Sequence, residues 1–400
     1  MQQQSSDIPR RIPRGVWILG FVSLLMDTSS EMVHVLLPLL LVGPFGASLL
    51  FVGIIEGVAE GTAQLIKLFS GALSDYFRRR KELTVCGYGL GALSKILFAL
   101  ASGTSIIFAA RMIDRIGKGI RGAPRDALLT DITPPEIRGA AFGLRQTLDT
   151  IGAFLGPLIA VLLLLVWTEN IQHIFWVAVI PGAGAVALLW FGLKEPEHKT
   201  EKKRTNPICY ANLRQLNHEY WWVVLVGTAF TLARFSEAFL VILALDRGVI
   251  LALIPLVMVV MSLAFSITAY PFGALSDRFS HRYLLALGLG VLIAADFVLG
   301  LSSSVMMLFI GIGLWGVHMG ITEGLLSVMI SKTAPSELRG TAFGFFGLIR
   351  GMMTMLASIL AGAIWHYSGS TAAFLLGAAL AALSFLILMI NPKMFSEPAA

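Results

Sequence analysis

Apolar and polar positions alternate along this chain in long blocks rather than residue by residue. Apolar runs of about 20 residues or more recur from one end to the other, separated by short polar segments. A helix of that length crosses the hydrocarbon core of a bilayer. The pattern predicts twelve membrane-spanning helices, near residues 15–41, 46–72, 82–101, 104–130, 137–166, 171–193, 220–245, 249–276, 282–302, 304–331, 338–366 and 369–391.

The composition supports this interpretation. Of the 400 residues, 56% are hydrophobic and only 14% are charged, whereas about 25% of the residues of an ordinary soluble domain are charged. The two cysteines, Cys86 and Cys209, fall in a predicted span and a predicted loop, so they indicate no disulfide framework. A soluble enzyme, a disordered chain and a disulfide-rich secreted protein are excluded, and the predicted fold class is an all-α integral membrane protein.

Basic residues in the predicted loops are distributed very unevenly. With twelve spans both termini lie on one side, and that side holds nearly all loop arginines and lysines, whereas the opposite loops hold only Arg247. Loops rich in Lys and Arg stay in the cytoplasm. We therefore expect a multi-pass protein of the cytoplasmic (inner) membrane with both termini cytoplasmic. The net charge of +6 follows from this topology and requires no nucleic acid partner.

The second half of the chain repeats the first. Residues 71–75 (GALSD) recur at 273–277, an offset of 202, and the pattern PxxxRGxAFG that starts at Pro134 recurs at Pro335, an offset of 201. Such duplication is typical of transporters built from two six-helix bundles. We predict an N-terminal bundle over residues 1–193, a cytoplasmic linker over 194–219 and a C-terminal bundle over 220–400.

Three motifs carry a family resemblance. The pattern GxLSDxxxRR from Gly71 to Arg80 resembles the cytoplasmic loop motif of the major facilitator superfamily, and Arg115-x-x-Lys118-Gly119 resembles the motif of its fourth span. Gly152-x-x-x-Gly156-Pro157 is similar to a motif of the proton-coupled drug antiporter branch. The resemblance implies a twelve-helix transporter with a gating set at the cytoplasmic face, formed by Gly71, Asp75, Arg79, Arg80, Asp131, Arg138, Gly273, Asp277 and Arg339.

Ionisable groups inside the predicted spans are candidates for function, because they are costly to bury in hydrocarbon. Asp27 and Glu31 are four residues apart and share one face of span 1. Either they bind the coupling proton or they form static ion pairs with arginines of span 4. The proton-coupling candidates are Asp27, Glu31, Glu56 and Glu60.

Span 4 carries a basic stripe that includes Arg111, Arg115, Lys118 and Arg125. The stripe either attracts an anionic substrate or neutralises the carboxylates of spans 1 and 2. Arg145 and Asp149 form an i, i+4 pair on span 5. The candidates for the substrate cavity are Arg115, Lys118, Arg121, Arg145, Asp149, Arg234, Glu237, His318, Glu323 and Arg350.

Gly152, Gly156 and Pro157 belong to span 5. We expect the two glycines to bring this span close to a helix of the other half and to seal that interface against proton leak, which an antiporter needs. The alternative is helix packing without a role in coupling, because small residues at this spacing allow close packing anywhere.

We predict a proton-coupled secondary transporter that exports a small organic solute or drug. The alternative is a proton-linked importer of an anionic solute, which the basic stripe favours. The chain has no HExxH or GxSxG motif, so we expect no enzyme activity. We also expect no cofactor and no metal site, the proton gradient as the energy source, the lipid bilayer and a small-molecule substrate as partners, and a monomer.

Overall fold

A computed structural model describes residues 12–77, 79–195, 215–276, 278–335 and 338–390, and all regular structure in these ranges is helical. The first half contains six long helices. They are α1 (Arg14–Val42), α2 (Leu49–Phe77), α3 (Arg80–Ala99), α4 (Thr104–Asp131), α5 (Arg138–Val166) and α6 (Ile171–Gly192), with a 3-10 turn at Pro135–Ile137. These bounds lie close to the predicted spans, although α2 continues past its predicted end at residue 72.

The helices of the second half are less regular. They are α7 (His218–Ala233), α8 (Ala238–Asp246), α9 (Leu256–Ser276), α10 (His281–Gly300), α11 (Val305–Thr322), α12 (Leu325–Thr333) and α13 (Arg339–Ile390), with a 3-10 turn at Leu251–Leu253. The predicted span 220–245 is therefore broken between α7 and α8. The predicted span 304–331 is broken between α11 and α12, where Gly324 has φ 73°, a conformation that favours glycine.

Of the helical segments in the described ranges, nine are long and apolar enough to cross a membrane. One of them, Arg339–Ile390, has 52 residues and is interrupted at Gly369, where φ is 87°, so it corresponds to two predicted spans. The nine do not include α3 or α4, and α4 is charged along much of its length. The all-α membrane class is confirmed, and the count of twelve stays a prediction for α3 and α4.

The ends of the helices define two faces of the protein. We call the face where α6 ends and α7 begins the linker face. There the Glu195 carboxylate accepts hydrogen bonds from the backbone N–H groups of Arg80 at 2.8 Å and Lys81 at 2.9 Å, which satisfies the first turn of α3. On the opposite face, Arg247 Nε donates to Ser302 Oγ at 3.1 Å, which joins the end of α8 to the loop after α10.

Within each half the helices pack as a bundle. In the first half α1 packs on α5 and α6, and α4 packs on α2 and α3. In the second half α11 packs on α9 and α10, and α13 packs on α7 and α10. Contacts between the halves are made by α2 with α13, α5 with α9, and α1 with α8. These inter-half contacts surround the space in which the candidate site lies.

The contact between α2 and α13 depends on glycine. A Cβ atom added at Gly57 would lie 2.5 Å from the carbonyl oxygen of Met355, and one added at Gly61 would lie 3.0 Å from that of Gly351. Toward the opposite face α1 packs on α8, which ends there at Asp246, and Leu40 of α1 belongs to the same apolar core as residues 239–244 of α8. The two halves are therefore closed against each other on the opposite face.

Candidate functional site

A cavity of about 340 Å³ lies between the two halves. Its lining contains charged groups of both signs, hydroxyl groups and a few apolar side chains. The lining residues are Glu31, His34, Glu60, Gln64, Arg115, Lys118, Phe230, Thr231, Arg234, Phe235, Ser236, Glu237, Thr322, Glu323, Gly324, Leu326, Ser327, Arg350, Thr354 and Ser358. Both breaks in the second half contribute to this wall, because residues 234–237 and 323–324 belong to it.

The basic stripe of α4 faces carboxylates of the first half. Arg111 donates to Glu56 at 2.6 Å, and Arg115 lies 2.8 Å from Glu60. Asp114 on the same helix lies 2.5 Å from Lys95 of α3 and 3.3 Å from Arg115. These pairs match the neutralising alternative for the stripe. Removing these charges from water is costly, and the attraction within each pair offsets that cost, so breaking one pair leaves an uncompensated buried charge.

A histidine connects the cavity to the buried part of this network. His34 Nδ1 lies 3.4 Å from Glu31 Oε2, and His34 Nε2 lies 3.5 Å from Glu56 Oε2. Glu31 and His34 line the cavity, whereas Glu56 is fully buried behind them. Three titratable side chains therefore form a continuous path from the cavity wall into the first half.

The path continues into the second half of the chain. Ser236, in the break between α7 and α8, donates from its hydroxyl to Glu56 Oε2 at 3.1 Å. The backbone N–H of Ser236 in turn donates to Ser358 Oγ of α13 at 3.1 Å. The carboxylate of Glu56 is therefore shared between an arginine of its own half and a serine of the other half.

Several charged groups of the cavity have no ion-pair partner within 4.0 Å among the residues that the structure describes. They are Lys118, Arg234, Glu237, Glu323 and Arg350. Arg234 instead lies over the Phe230 ring, 5.5 Å from its centroid, an arrangement that favours a cation. Free cations and free carboxylates in one cavity can bind a small solute that carries charge.

The structure separates the residues predicted for the cavity and for proton coupling into those that line the cavity and those that do not. Arg115, Lys118, Arg234, Glu237, Glu323 and Arg350 line the cavity, together with the proton-coupling candidates Glu31 and Glu60. Asp27, Glu56, Arg121, Arg145, Asp149 and His318 do not belong to its lining.

The residues outside the cavity have other neighbours. Arg121 lies 3.8 Å from Asp27 and stacks on the Tyr88 ring, with its guanidinium 4.4 Å from the ring centroid. Arg145 donates to Asp149, as the i, i+4 spacing predicts. His318 is fully buried in α11.

The predicted gating set is only partly described. Arg80 and Asp131 form an ion pair between α3 and α4, and Arg79 lies 3.2 Å from Glu82. Gly71 and Asp75 belong to the last turns of α2 and Gly273 to α9, while Arg138 and Arg339 begin α5 and α13. Asp277 lies outside the described residues. The gating roles stay predictions.

The expectation for the Gly152–Pro157 motif is wrong. An added Cβ at Gly152 would lie 2.6 Å from the carbonyl oxygen of Leu24, and one at Gly156 would lie 2.7 Å from that of Thr28. Both glycines therefore bring α5 close to α1, a helix of the same half. Close contact between the halves is made by α2 and α13 instead, so this motif does not seal the inter-half interface.

Some cavity residues were not predicted to belong to the site. His34, Gln64, Ser236 and Thr354 line the cavity beside the predicted residues. Ser236-Glu237 is a loose repeat of Ser30-Glu31, and this correspondence was the one available signal for Ser236. Uncharged polar side chains in an apolar span carry no comparable signal, because they are also common at helix contacts.

Comparison with known proteins identifies the family. The profile of the Major Facilitator Superfamily matches residues 19–243 and again 223–398. An uncharacterized MFS-type transporter of Methanocaldococcus jannaschii is 31% identical over 398 residues, which covers 97% of each chain. The multidrug resistance protein MdtH of Photorhabdus laumondii is 27% identical over 335 residues, 83% of this chain and 82% of its own.

Solved structures show the same fold. The crystal structure of a POT family transporter in complex with 5-aminolevulinic acid matches 96% of this chain and 97% of its own, with a TM-score of 0.80 and 14% identity. The duplicated helical fold, the cavity between its halves and the two profile matches agree with one another. The chain belongs to the Major Facilitator Superfamily of membrane transporters.

Proposed function

We propose that this protein is a proton-coupled secondary transporter of the cytoplasmic membrane that exports a small, charged organic solute. The path from Glu31 through His34 to Glu56 and Ser236 is the observation that carries the proposal. The path begins with Glu31 and His34, which lie 3.4 Å apart in the cavity wall, continues to the buried Glu56 at 3.5 Å from His34, and ends on a hydrogen bond of 3.1 Å between the two halves.

Protonation at this path would change the contact between the halves. Glu56 as a carboxylate accepts from both Arg111 and Ser236. A proton transferred to it through Glu31 and His34 would remove its charge and weaken both hydrogen bonds, because bonds to a charged acceptor are the stronger ones. The cross-half bond would then open more readily, and proton binding would be coupled to alternating access.

A relative favours export, and the conformation is compatible with it. The cavity is closed on the opposite face, and its charged residues Lys118, Glu323 and Arg350 are exposed. Under the predicted orientation this is a conformation open to the cytoplasm, in which an exporter takes up its substrate and an importer releases it. The MdtH relative of Photorhabdus laumondii is named a multidrug resistance protein, which agrees with export.

A second candidate function is import of an anionic solute with protons. The unpaired cations Lys118, Arg234 and Arg350 of the cavity favour it. The two candidates differ in the direction of solute movement relative to proton movement, and both use the same cavity.

Flux in proteoliposomes tests the proposal. Full-length protein is reconstituted in a known orientation, a pH gradient is imposed, and a panel of metabolites and drugs is screened. Export predicts that solute leaves the compartment that protons enter. Solute and proton entry into the same compartment would establish the importer, and solute flux that no pH gradient alters would overturn proton coupling.

A further inference from the structure

A second buried carboxyl group lies in the other half of the protein. Asp296 of α10 has no exposed surface, and neither of its carboxylate oxygens has a hydrogen-bond partner among the described residues. A Cβ atom added at Gly377 would lie 2.7 Å from Asp296 Oδ2 and 3.1 Å from Phe235 Cε1. Asp296 therefore lies next to Phe235, a residue of the cavity wall.

The ring beside Asp296 belongs to an aromatic cluster. The Phe235 ring packs against Trp315 and Phe374, with centroids 5.4 and 5.2 Å away, and Trp315 and Phe374 are 6.5 Å apart. Such surroundings offer no charge and few hydrogen bonds. An ionised carboxylate is costly to bury under these conditions, whereas a protonated carboxylic acid is not.

The internal repeat shows that Asp296 lacks the counter-charge that is present at the corresponding place in the first half. With the offset of 201 residues, Asp296 corresponds to Lys95 and Trp315 corresponds to Asp114. Lys95 and Asp114 form a buried ion pair of 2.5 Å in the first half. At the corresponding positions the second half has the carboxylate of Asp296 and, instead of an opposite charge, the indole ring of Trp315. Asp296 therefore has no ion-pair partner among the described residues.

No neighbouring element supplies that partner. The titratable and charged side chains described on the elements packed against α10 are Tyr270 on α9, His318 on α11, Lys332 on α12, and Arg339, Arg350, His366 and Tyr367 on α13, and Arg234 and Glu237 flank Phe235 in the break between α7 and α8. None of them forms an ion pair or hydrogen bond with Asp296. His318 is itself buried without a hydrogen bond from either ring nitrogen, beside Trp315 at a centroid distance of 5.4 Å.

We infer that Asp296 is a second proton-binding site, located in the C-terminal half and separated from the cavity by the Phe235 ring. The inference rests on the proposed proton coupling and adds a carrier outside the Glu31–His34–Glu56 path. The carboxylate takes one proton from water when Phe235 moves aside, is held as a neutral acid in the conformation described here, and returns that proton to water when the ring moves again. Among the described residues no group of three or more His, Cys, Asp or Glu side chains could hold a metal ion, which favours the proton as the ligand.

Infrared spectroscopy of the full-length protein in liposomes tests this site with the proton itself as the probe. At neutral pH, wild type should show the carbonyl stretch of one protonated carboxylic acid that is absent from Asp296→Asn. The band should disappear reversibly as the pH is raised while the protein stays folded. Asp246→Asn, which removes an exposed acid of the same half, should retain the band and serves as the matched control.

Two results would overturn the inference: identical carboxylic-acid bands in wild type and Asp296→Asn, or a band that does not change over the pH range in which the protein stays folded. If Asp296→Asn fails to fold, Asp296→Glu replaces it and should show a titrating band at a shifted position. The spectrum detects the protonation state of Asp296 directly. Failure of the flux experiment would therefore contradict the proposed function without changing the spectral outcome.

Discussion

Glu56 and Ser236 are joined by a hydrogen bond of 3.1 Å that crosses from one half of the transporter to the other. Each residue is also held within its own half, Glu56 by Arg111 at 2.6 Å and Ser236 by Ser358 at 3.1 Å. The pair therefore connects the buried charge network of the first half to the broken span of the second. Substitutions of Glu56 and of Ser236 should therefore change the stability of the protein and its conformational equilibrium to different extents.

Glu56→Gln should destabilise the protein strongly. The substitution removes the nearest carboxylate of the buried Arg111 guanidinium and leaves only Glu60 at 3.8 Å and Asp114 at 4.0 Å, and losing one partner of a buried pair costs about 3–5 kcal/mol. Ser236→Ala removes the hydrogen bond to the Glu56 carboxylate and the one that the hydroxyl accepts from the backbone N–H of Ala238 at 3.2 Å, and it should cost about 1.5–3 kcal/mol because one acceptor is charged. Unfolding of the purified protein in detergent, followed by circular dichroism, measures both. The double variant Glu56→Gln/Arg111→Gln should recover part of the loss, and equal stability of Glu56→Gln and wild type would contradict the pairing.

Glu31→Gln should abolish transport driven by a pH gradient but leave exchange of solute across the membrane intact. The amide keeps the shape of the side chain but cannot titrate. His34→Gln should weaken coupling for the same reason, because it interrupts the path to Glu56. Asp27→Asn is predicted to impair coupling as well, although Asp27 lies outside the cavity lining and faces Arg121 at 3.8 Å. Wild-type uphill transport by Glu31→Gln would show that another group carries the proton.

Gly57→Ala should open the closed face. The added Cβ would meet the carbonyl oxygen of Met355 at 2.5 Å, so α2 and α13 must move apart. Distances between spin labels placed on the opposite face of the two halves should increase. Gly89→Ala is the matched control, because a Cβ at Gly89 has no neighbour within 4 Å. Unchanged distances in Gly57→Ala would show that the contact does not limit opening.

Gly156→Ala should lower stability without changing those distances. Its added Cβ would lie 2.7 Å from the carbonyl oxygen of Thr28 within the first half, so the strain falls inside one bundle. Thermal unfolding and the same spin-label pairs measure the two effects. A shift in the inter-half distances would restore a direct role for this motif in gating.

Cys209 should be cytoplasmic. It belongs to the predicted linker and lies outside the described residues, and Cys86 on α3 is an exposed free thiol. In a Cys86→Ser background, a membrane-impermeant thiol reagent should therefore modify Cys209 only after the cells are permeabilised. A cysteine introduced as Arg247→Cys should react in intact cells. Modification of Cys209 in intact cells would show that the predicted orientation is wrong.

The fold could be predicted from the sequence because long apolar runs have few alternatives to membrane-spanning helices. The breaks in two of the spans were not predicted. Residues 234–237 contain neither glycine nor proline, so no local signal ends α7, and the break depends on tertiary contacts such as the bond from Ser236 to Ser358. Gly324 offered a signal, but glycine is frequent in membrane helices and does not by itself indicate a break.

The site could be predicted only as a set of charged groups. Helical spacing identifies residues that share a face, and two members of the basic stripe of α4, Arg111 and Arg115, do pair with carboxylates of α2. It does not specify how a helix is rotated relative to its neighbours. Glu56 and His318 are therefore buried where a cavity position was equally consistent with the spacing, and Gly156 packs within its own half rather than across the interface.

The interrupted spans of the second half have a consequence for mapping substrate recognition. Where α7 ends at Ala233 and α11 ends at Thr322, the last carbonyl groups of each helix lose the regular i+4 N–H partner, although the Thr231 carbonyl accepts from the Arg234 N–H and the His318 carbonyl from the Thr322 hydroxyl, and both ends adjoin the cavity. Main-chain oxygens can bind a solute whatever side chain the residue carries. Alanine scanning would overlook such contacts, so mapping them requires backbone amide-to-ester replacement at residues 231–237 and 320–324.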